Sequence, residues 1–163
     1  MPILDRYSNS ILRESKLVQI SEFKVVALLE KFLFIKKSKL PNAGKGLFTK
    51  KEIAKGTRIV EYKGKLRKWK NVKHLDGYNG YLMYITRNAV IDALPAINTV
   101  GRYANDASGF SRISGLKNNC EYVSEGNKCY IESKRSIKKG EELFVSYGKE
   151  FWQLQRKISK SKA

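Results

Sequence analysis

The sequence predicts a mainly β domain with small helices, an α+β chain built from short sheets, and three observations carry that prediction. From Phe32 onward, short apolar runs alternate with glycine, proline and asparagine turn signals at close intervals. Long helical periodicity is confined to the two ends of the chain. The 163 residues are 42% hydrophobic with only three prolines and no biased tract, which suits one domain with its own core rather than a disordered chain.

Taken in order, Phe23–Phe32 fits helical i, i+3, i+4 spacing without glycine or proline, so one or two helices are expected before the β region. Short strands are expected at 32–36, 46–49, 58–62, 81–85, 89–92, 120–123, 128–133 and 143–145, about eight or nine in all. Turns fall at Pro41-Asn-Ala-Gly44, Lys55-Gly56 and Lys63-Gly64. Residues 66–80 are polar and irregular and read as a short helix or an insertion. Residues 151–159 read as a helix with Phe151, Trp152, Leu154 and Ile158 as its apolar positions, followed by a frayed basic tail.

Lys and Arg total 33 against 15 Asp and Glu, a formal net charge of +18 that attracts polyanions such as nucleic acid or a nucleoprotein particle. No run of about 18 apolar residues offers a membrane span, and the N-terminus lacks a secretory leader pattern. The expectation is an intracellular protein, cytoplasmic or nuclear and nucleoid-associated. Cys120 and Cys129 with the lone His74 cannot make a four-ligand zinc site, so no metal is expected. The two cysteines read as reduced thiols on neighbouring strands or as a disulfide. Oligomeric state is not encoded in these features.

Three segments draw chemical interest. Gly44-Lys-Gly-Leu-Phe48 sets two glycines beside an apolar pair, which reads as a plain turn or as backbone presented to a small polar ligand. Gly101-Arg-Tyr-Ala-Asn-Asp106 gathers a guanidinium, an aromatic ring and two short polar side chains; its plain reading is a loop with local Asx bonds. Gly140-Glu-Glu-Leu-Phe-Val-Ser-Tyr-Gly148 is a turn and an apolar strand ending in a tyrosine. Tyr62, Tyr81, Tyr84, Tyr103, Tyr122 and Tyr147, among nine tyrosines, lie on or beside expected strands near turns. Clustered tyrosines are strand fillers, or they form an aromatic tube for the stem of a lysine.

In their order and spacing these segments resemble the SET-domain protein-lysine methyltransferases. That family carries Gly-x-Gly-Leu-Phe, Lys-Gly-x-x-Ile-x-Glu-Tyr-x-Gly, an aromatic strand, Ile-Asp-Ala, Arg-Phe-x-Asn-His, Asn-Cys and Gly-Glu-Glu-Leu-x-x-x-Tyr-Gly. Here they stand at Gly44–Phe48, Lys55–Gly64, Tyr81-Leu-Met83, Ile91-Asp-Ala93, Arg102–Asp106, Asn119-Cys120 and Gly140–Gly148. The resemblance implies the SET fold, with a knot-like threading near the C-terminus. It divides the chain into an N-terminal helical extension (1–31), a SET-like catalytic domain (32–152) and a C-terminal helix and basic tail (153–163).

The same resemblance implies the site. The backbone of Lys45, Gly46 and Leu47 would cradle S-adenosyl-L-methionine, with Tyr81 and Arg102 lining that pocket and Asn105 holding the cofactor's amino-acid end. Tyr147 would be the catalytic tyrosine, its hydroxyl aimed at the sulfonium and the incoming amine. Tyr62 and Tyr122 would wall the lysine channel. Val145 stands two residues before Tyr147, and a restricting hydroxyl on Tyr122 would favour one methyl group. Trp152 would cover the adenine. Asp106 stands where the family usually carries histidine; an ionised carboxylate cannot donate that residue's hydrogen bonds, which leaves its backbone to serve the adenine. A basic, glycine-bearing insertion (107–118) precedes Asn119-Cys120, and the zinc modules that often flank the family's domain are absent from this sequence.

The function expected is methylation of a lysine on a histone, histone-like or ribosomal protein, with an acidic groove from Glu121, Glu125 and Glu132 or an anionic particle offsetting the enzyme's own charge. The alternative is a SET-like basic module without catalysis that binds nucleic acid or chromatin.

Overall fold

The computed structural model describes residues 27–162. Nine short strands form three three-stranded antiparallel sheets. The strands are β1 (Leu33–Lys37), β2 (Lys45–Thr49), β3 (Arg58–Glu61), β4 (Lys65–Lys68), β5 (Leu82–Thr86), β6 (Ala89–Asp92), β7 (Cys120–Glu125), β8 (Lys128–Ser133) and β9 (Glu142–Leu143). Sheet order is β1-β2-β9, β3-β8-β7 and β4-β6-β5. A one-turn helix, α1 (Trp69–Val72), follows β4, and the longer α2 (Lys149–Ser161) ends the described chain. The mainly β architecture expected from turn spacing is the one observed. Of the expected N-terminal helices, the part up to residue 26 lies outside the described residues; the described end of the Phe23–Phe32 segment is not α-helical, with no regular structure at 27–29 and a 3-10 turn at Glu30–Phe32.

One strand was not expected. The polar stretch after Gly64 opens with β4, an edge strand whose Lys65, Leu66 and Lys68 side chains are exposed. Its pairing with β6, Lys65 opposite Asp92 through Lys68 opposite Ala89, supplies the order that apolar alternation does not. Charged side chains on such an edge also discourage pairing with other chains.

The core lies between the first two sheets. Leu47, Ile59, Val60, Ile131, Ile137, Leu143 and Val145 are within 1% of full burial there. Each such side chain contributes roughly 1.5–3 kcal/mol relative to an exposed one. A second cluster of Tyr62, Ile91, Ala93 and Cys129 joins the third sheet to this core. Both cysteines are buried free thiols; burial pushes Cys120 up to about 12 and Cys129 to about 11, so neither is a thiolate nucleophile at neutral pH.

Residues 142–147 run between two earlier loops. On one side Val145 N–H donates to the Asn105 carbonyl (2.9 Å), within a parallel bridge between Asn105 and Phe144. On the other, the backbone N–H groups of Asn119 and Cys120 both donate to the Phe144 carbonyl (3.1 and 2.9 Å). The Asn119 side chain closes the arrangement, accepting from Phe144 N–H and donating to the Glu142 carbonyl, each at 2.8 Å. The chain is thereby threaded near its C-terminus, and Tyr147 is delivered to the junction of the sheets.

Candidate functional site

Tyr147 emerges from the threaded segment into a cavity of about 460 Å³ lined by Tyr62, Tyr81, Tyr84, Arg102, Tyr122 and Tyr147. That volume lies in the range of small-molecule sites, roughly 300–1,000 Å³. The turn at 76–80 forms one wall, together with Leu82 and Met83 of β5. Glu150, Phe151 and Leu154 of α2 form another.

The hydroxyls are held in defined roles. Tyr147 Oη donates to the Ala104 carbonyl (2.8 Å), and Tyr62 Oη donates to the Tyr81 carbonyl (3.0 Å). A phenol whose proton is committed to a carbonyl turns its lone pairs to any further partner and acts as an acceptor. The Tyr62 and Tyr122 rings meet edge to face at 5.6 Å. Burial raises the titration of Tyr62, Tyr122 and Tyr147 well above the ordinary tyrosine value, and the Asp106 carboxylate raises Tyr147 further. All three therefore stay neutral near pH 7.

Arg102 brings the positive charge. Its guanidinium lies 4.0 Å from the Tyr81 ring centre and donates from one terminal nitrogen to the Leu94 carbonyl (2.9 Å). Its Nε is buried and has no hydrogen-bond partner among the described residues. An unmatched buried donor is costly, and it belongs to a residue that lines the cavity.

A neighbouring cluster surrounds Glu142, which is 2% exposed. Its carboxylate accepts from Ser38 Oγ (2.6 Å), Lys39 N–H (2.8 Å) and Asn105 Nδ2 (3.4 Å), while Asn105 Nδ2 also reaches the Lys45 carbonyl (2.9 Å). Gly46 is required by this packing: a Cβ there would lie 2.0 Å from Glu142 Oε1.

The expected site residues thus divide. Tyr62, Tyr81, Arg102, Tyr122 and Tyr147 share the cavity. Lys45, Gly46 and Asn105 meet at Glu142, beside the threaded segment, and Leu47 is fully buried in the core. Val145 likewise points into the core and is not part of the cavity lining. Trp152 stacks on Tyr147 (5.9 Å between centres, 15° between planes) and donates from Nε1 to Asp106 Oδ2 (2.8 Å). Asp106 is 4% exposed, and its side-chain oxygens are taken up by internal donors.

Phe151, expected with Trp152 to finish the site in place of the flanking zinc modules, lines the cavity, whereas Leu154 and the Asp76–Gly80 turn line it without having been singled out. For Phe151 and Leu154 the signal was present, as apolar positions on a helix that starts one residue after Tyr147-Gly148. The acidic groove expected of Glu121, Glu125 and Glu132 needs correction: Arg58 forms ion pairs with both Glu125 and Glu132, the latter at 2.7 Å. Among the described residues no cluster of three His, Cys, Asp or Glu is placed to hold a metal ion, and no helix is long and apolar enough to cross a membrane.

The comparisons with known proteins bear on the fold and the family. A solved structure described as a humanized mutant of the Chaetomium thermophilum Polycomb Repressive Complex 2 bound to the inhibitor GSK126 is similar to the chain, with a TM-score of 0.59 and 25% identity. The similarity covers 80% of this chain and 16% of that one, so the chain spans only a small part of its relative. No curated protein sequence matches significantly. The SET-domain family model matches residues 44–148, well over half of the chain, and the chain belongs to the SET-domain family.

Proposed function

We propose that the protein is an S-adenosyl-L-methionine-dependent protein-lysine N-methyltransferase. Membership of the SET-domain family supports a protein-lysine methyltransferase kind of function. The observation that carries the finer reading is the convergence of Tyr62, Tyr81, Tyr122, Tyr147 and Arg102 on one cavity, with the hydroxyls of Tyr62 and Tyr147 held as acceptors.

When bound, the cofactor supplies an electrophilic methyl group on a sulfonium. Arg102, with an unmatched Nε, would face an acceptor-bearing guest beside the stacking face of Tyr81. The protein must hold a neutral lysine amine, and free lysine titrates near 10.4, so deprotonation at pH 7 costs about 4–5 kcal/mol. The aromatic walls strip water from the amine and lower that cost. The acceptor lone pairs of Tyr147 and Tyr62 would take the amine's N–H groups, turn its own lone pair toward the methyl carbon and stabilise the positive charge that develops on nitrogen. A tyrosine titrating this high is not a general base, so the proton leaves through water.

The substrate proposed is a lysine of a histone, histone-like or ribosomal protein, monomethylated because Tyr122 narrows the channel, in a cytoplasmic, nuclear or nucleoid setting. Incubation of the full chain with labelled S-adenosyl-L-methionine and a panel of histones, histone-like proteins and ribosomes tests this, beside Tyr147→Phe. Transfer that depends on the Tyr147 hydroxyl is expected. Absence of both cofactor binding and transfer would overturn the enzyme reading.

A second reading, a basic module that binds nucleic acid, draws on one specific observation. A groove of about 700 Å³ at the β4 edge is lined by Arg67, Lys68, Lys70, Asn88 and Asn127, with no carboxylate in its lining. Each phosphate neutralised there adds about 0.7–0.9 to the salt slope of binding. Lys68→Gln with Lys70→Gln should flatten that slope for a duplex probe by about 1–2, while Lys138→Gln with Lys139→Gln, matched in charge on another face, should not. Equal slopes in the two variants would assign the binding to net charge alone.

A further inference from the structure

Asp106 gathers donors from three separate parts of the chain. Its Oδ1 accepts from Ser108 N–H (2.8 Å), Ser108 Oγ (2.6 Å) and Asn118 Nδ2 (2.9 Å). Its Oδ2 accepts from Tyr147 N–H (2.7 Å) and Trp152 Nε1 (2.8 Å). The Ser108 bonds alone would be an ordinary local turn of an aspartate in a loop. The Oδ2 bonds are not local, since their partners lie 41 and 46 residues further along.

We propose that Asp106 is a positioning residue, a clasp that fixes Tyr147 and the α2 wall of the cavity against the 107–118 insertion. The two departures from the family pattern then form one device. The carboxylate supplies about four lone-pair sites, whereas a neutral imidazole supplies one acceptor nitrogen. The insertion supplies the donors that orient it. Ser108 and Asn118 bind one oxygen and so turn the other toward Tyr147 and Trp152. Asn118 Oδ1 accepts from Ala107 N–H (2.8 Å), which closes the insertion on itself.

Packing around Trp152 supports the same arrangement. Phe110 of the insertion meets the indole at 5.2 Å, and a Cβ at Gly109 would lie 2.3 Å from its ring. Further along α2, Gln155 donates to the Gly77 carbonyl (2.6 Å) and Leu154 and Ile158 lie against Gly77. The helix is therefore held at two points, the turn at 76–80 and Asp106, with the cavity between them. Release of the Asp106 point would leave the helix tethered but free to tilt, and Tyr147 would move with it.

The kinetic consequence rests on the methyltransferase reading; the structural one does not. The full chain carrying Trp69→Phe leaves Trp152 as its one tryptophan. In that background Asp106→Asn, which puts an amide where one acceptor oxygen stood, should shift Trp152 emission to the red and raise its quenching by acrylamide. For methyl transfer kcat should fall about 100-fold, the scale of a 1 Å misplacement, with KM for the protein substrate changed less than about threefold. Asp106→His, the usual family residue, should not restore either property. Emission and kcat unchanged in Asp106→Asn, or fully retained in Asp106→His, would overturn the clasp.

If Asp106→Asn does not fold, Asn118→Ala carries the test, because it keeps the carboxylate and removes one donor outside the cavity. A smaller red shift and a roughly threefold lower kcat are expected; identical emission and rate overturn the proposal. Should the parent protein transfer no methyl group, the enzyme reading fails, and Trp152 emission alone still decides the clasp.

Discussion

Glu142 and Asp106 are both buried carboxylates, one where the threaded segment begins and the other beside the point where it leaves for α2. Glu142 binds Ser38 and Lys39, just after β1, and Asn105 of the 101–106 loop, and leaves Gly46 of β2 no room for a side chain. Asp106 binds Tyr147, Trp152 and the insertion. The first belongs to the Gly-Glu-Glu-Leu motif and ties β9 to the end of β1 in its own sheet and to the 101–106 loop; the second departs from the motif and ties Tyr147 to the cavity wall. The same chemistry thus builds a scaffold in one place and aims a hydroxyl in the other.

Replacement of each group sharpens that contrast. Glu142→Ala should show the largest effect, about 3 kcal/mol lost in urea denaturation, because it strands the buried Ser38 hydroxyl, loosens the Lys39 N–H and leaves a cavity where the buried carboxylate stood. An equal or larger loss in Asp106→Ala would break the comparison. Tyr147→Phe should lower methyl transfer about 100-fold, near 2.7 kcal/mol in barrier, yet change stability by about 1 kcal/mol or less, since it removes one hydrogen bond. Radiolabel transfer and urea denaturation on the same preparation separate the two quantities.

The smallest effect expected is that of pH on the clasp. Burial raises the Asp106 carboxyl, but the hydrogen bonds from Ser108, Trp152, Tyr147 and Asn118 outweigh it and hold the group below its ordinary value. A depressed folded value means stability present above the unfolded value, about pH 4, and lost only as pH falls through the folded one. Trp152 emission should stay flat from pH 8 to 5. A transition centred above pH 5 would contradict the assignment.

Much of the site was legible because its parts are motif-borne and local. The Gly44–Phe48 segment at the start of β2, the Arg102–Asp106 loop and the Ser146-Tyr147-Gly148 ending announced themselves, and all the tyrosines named from strand position except Tyr103 meet in one cavity. Glu142 was not legible as a buried group. It follows Lys138-Lys-Gly-Glu141 in what reads as a solvated turn, and Glu141 does behave so, pairing with Arg135 at 3.1 Å. What distinguishes Glu142 is Ser38, 104 residues earlier. The edge strand β4 was hidden for a related reason, because its order comes from β6 and leaves no apolar rhythm in its own sequence. The role of Asp106 depends on donors 12 to 46 residues away that no periodicity reveals.

The threading of residues 142–147 between the Asn105 and Asn119 loops bears on how the protein is born. At about 5–20 residues per second of synthesis, the 104 residues that separate Ser38 from Glu142 take on the order of 5–20 s to appear. Early strands can pair during that interval, and once Asn105 and Asn119 have appeared they wait for the segment that joins them. Tyr147 and the helix that walls its cavity arrive only afterwards, so a growing chain has no complete pocket. The cavity stays open on that side until the threaded stretch has been made and tucked home.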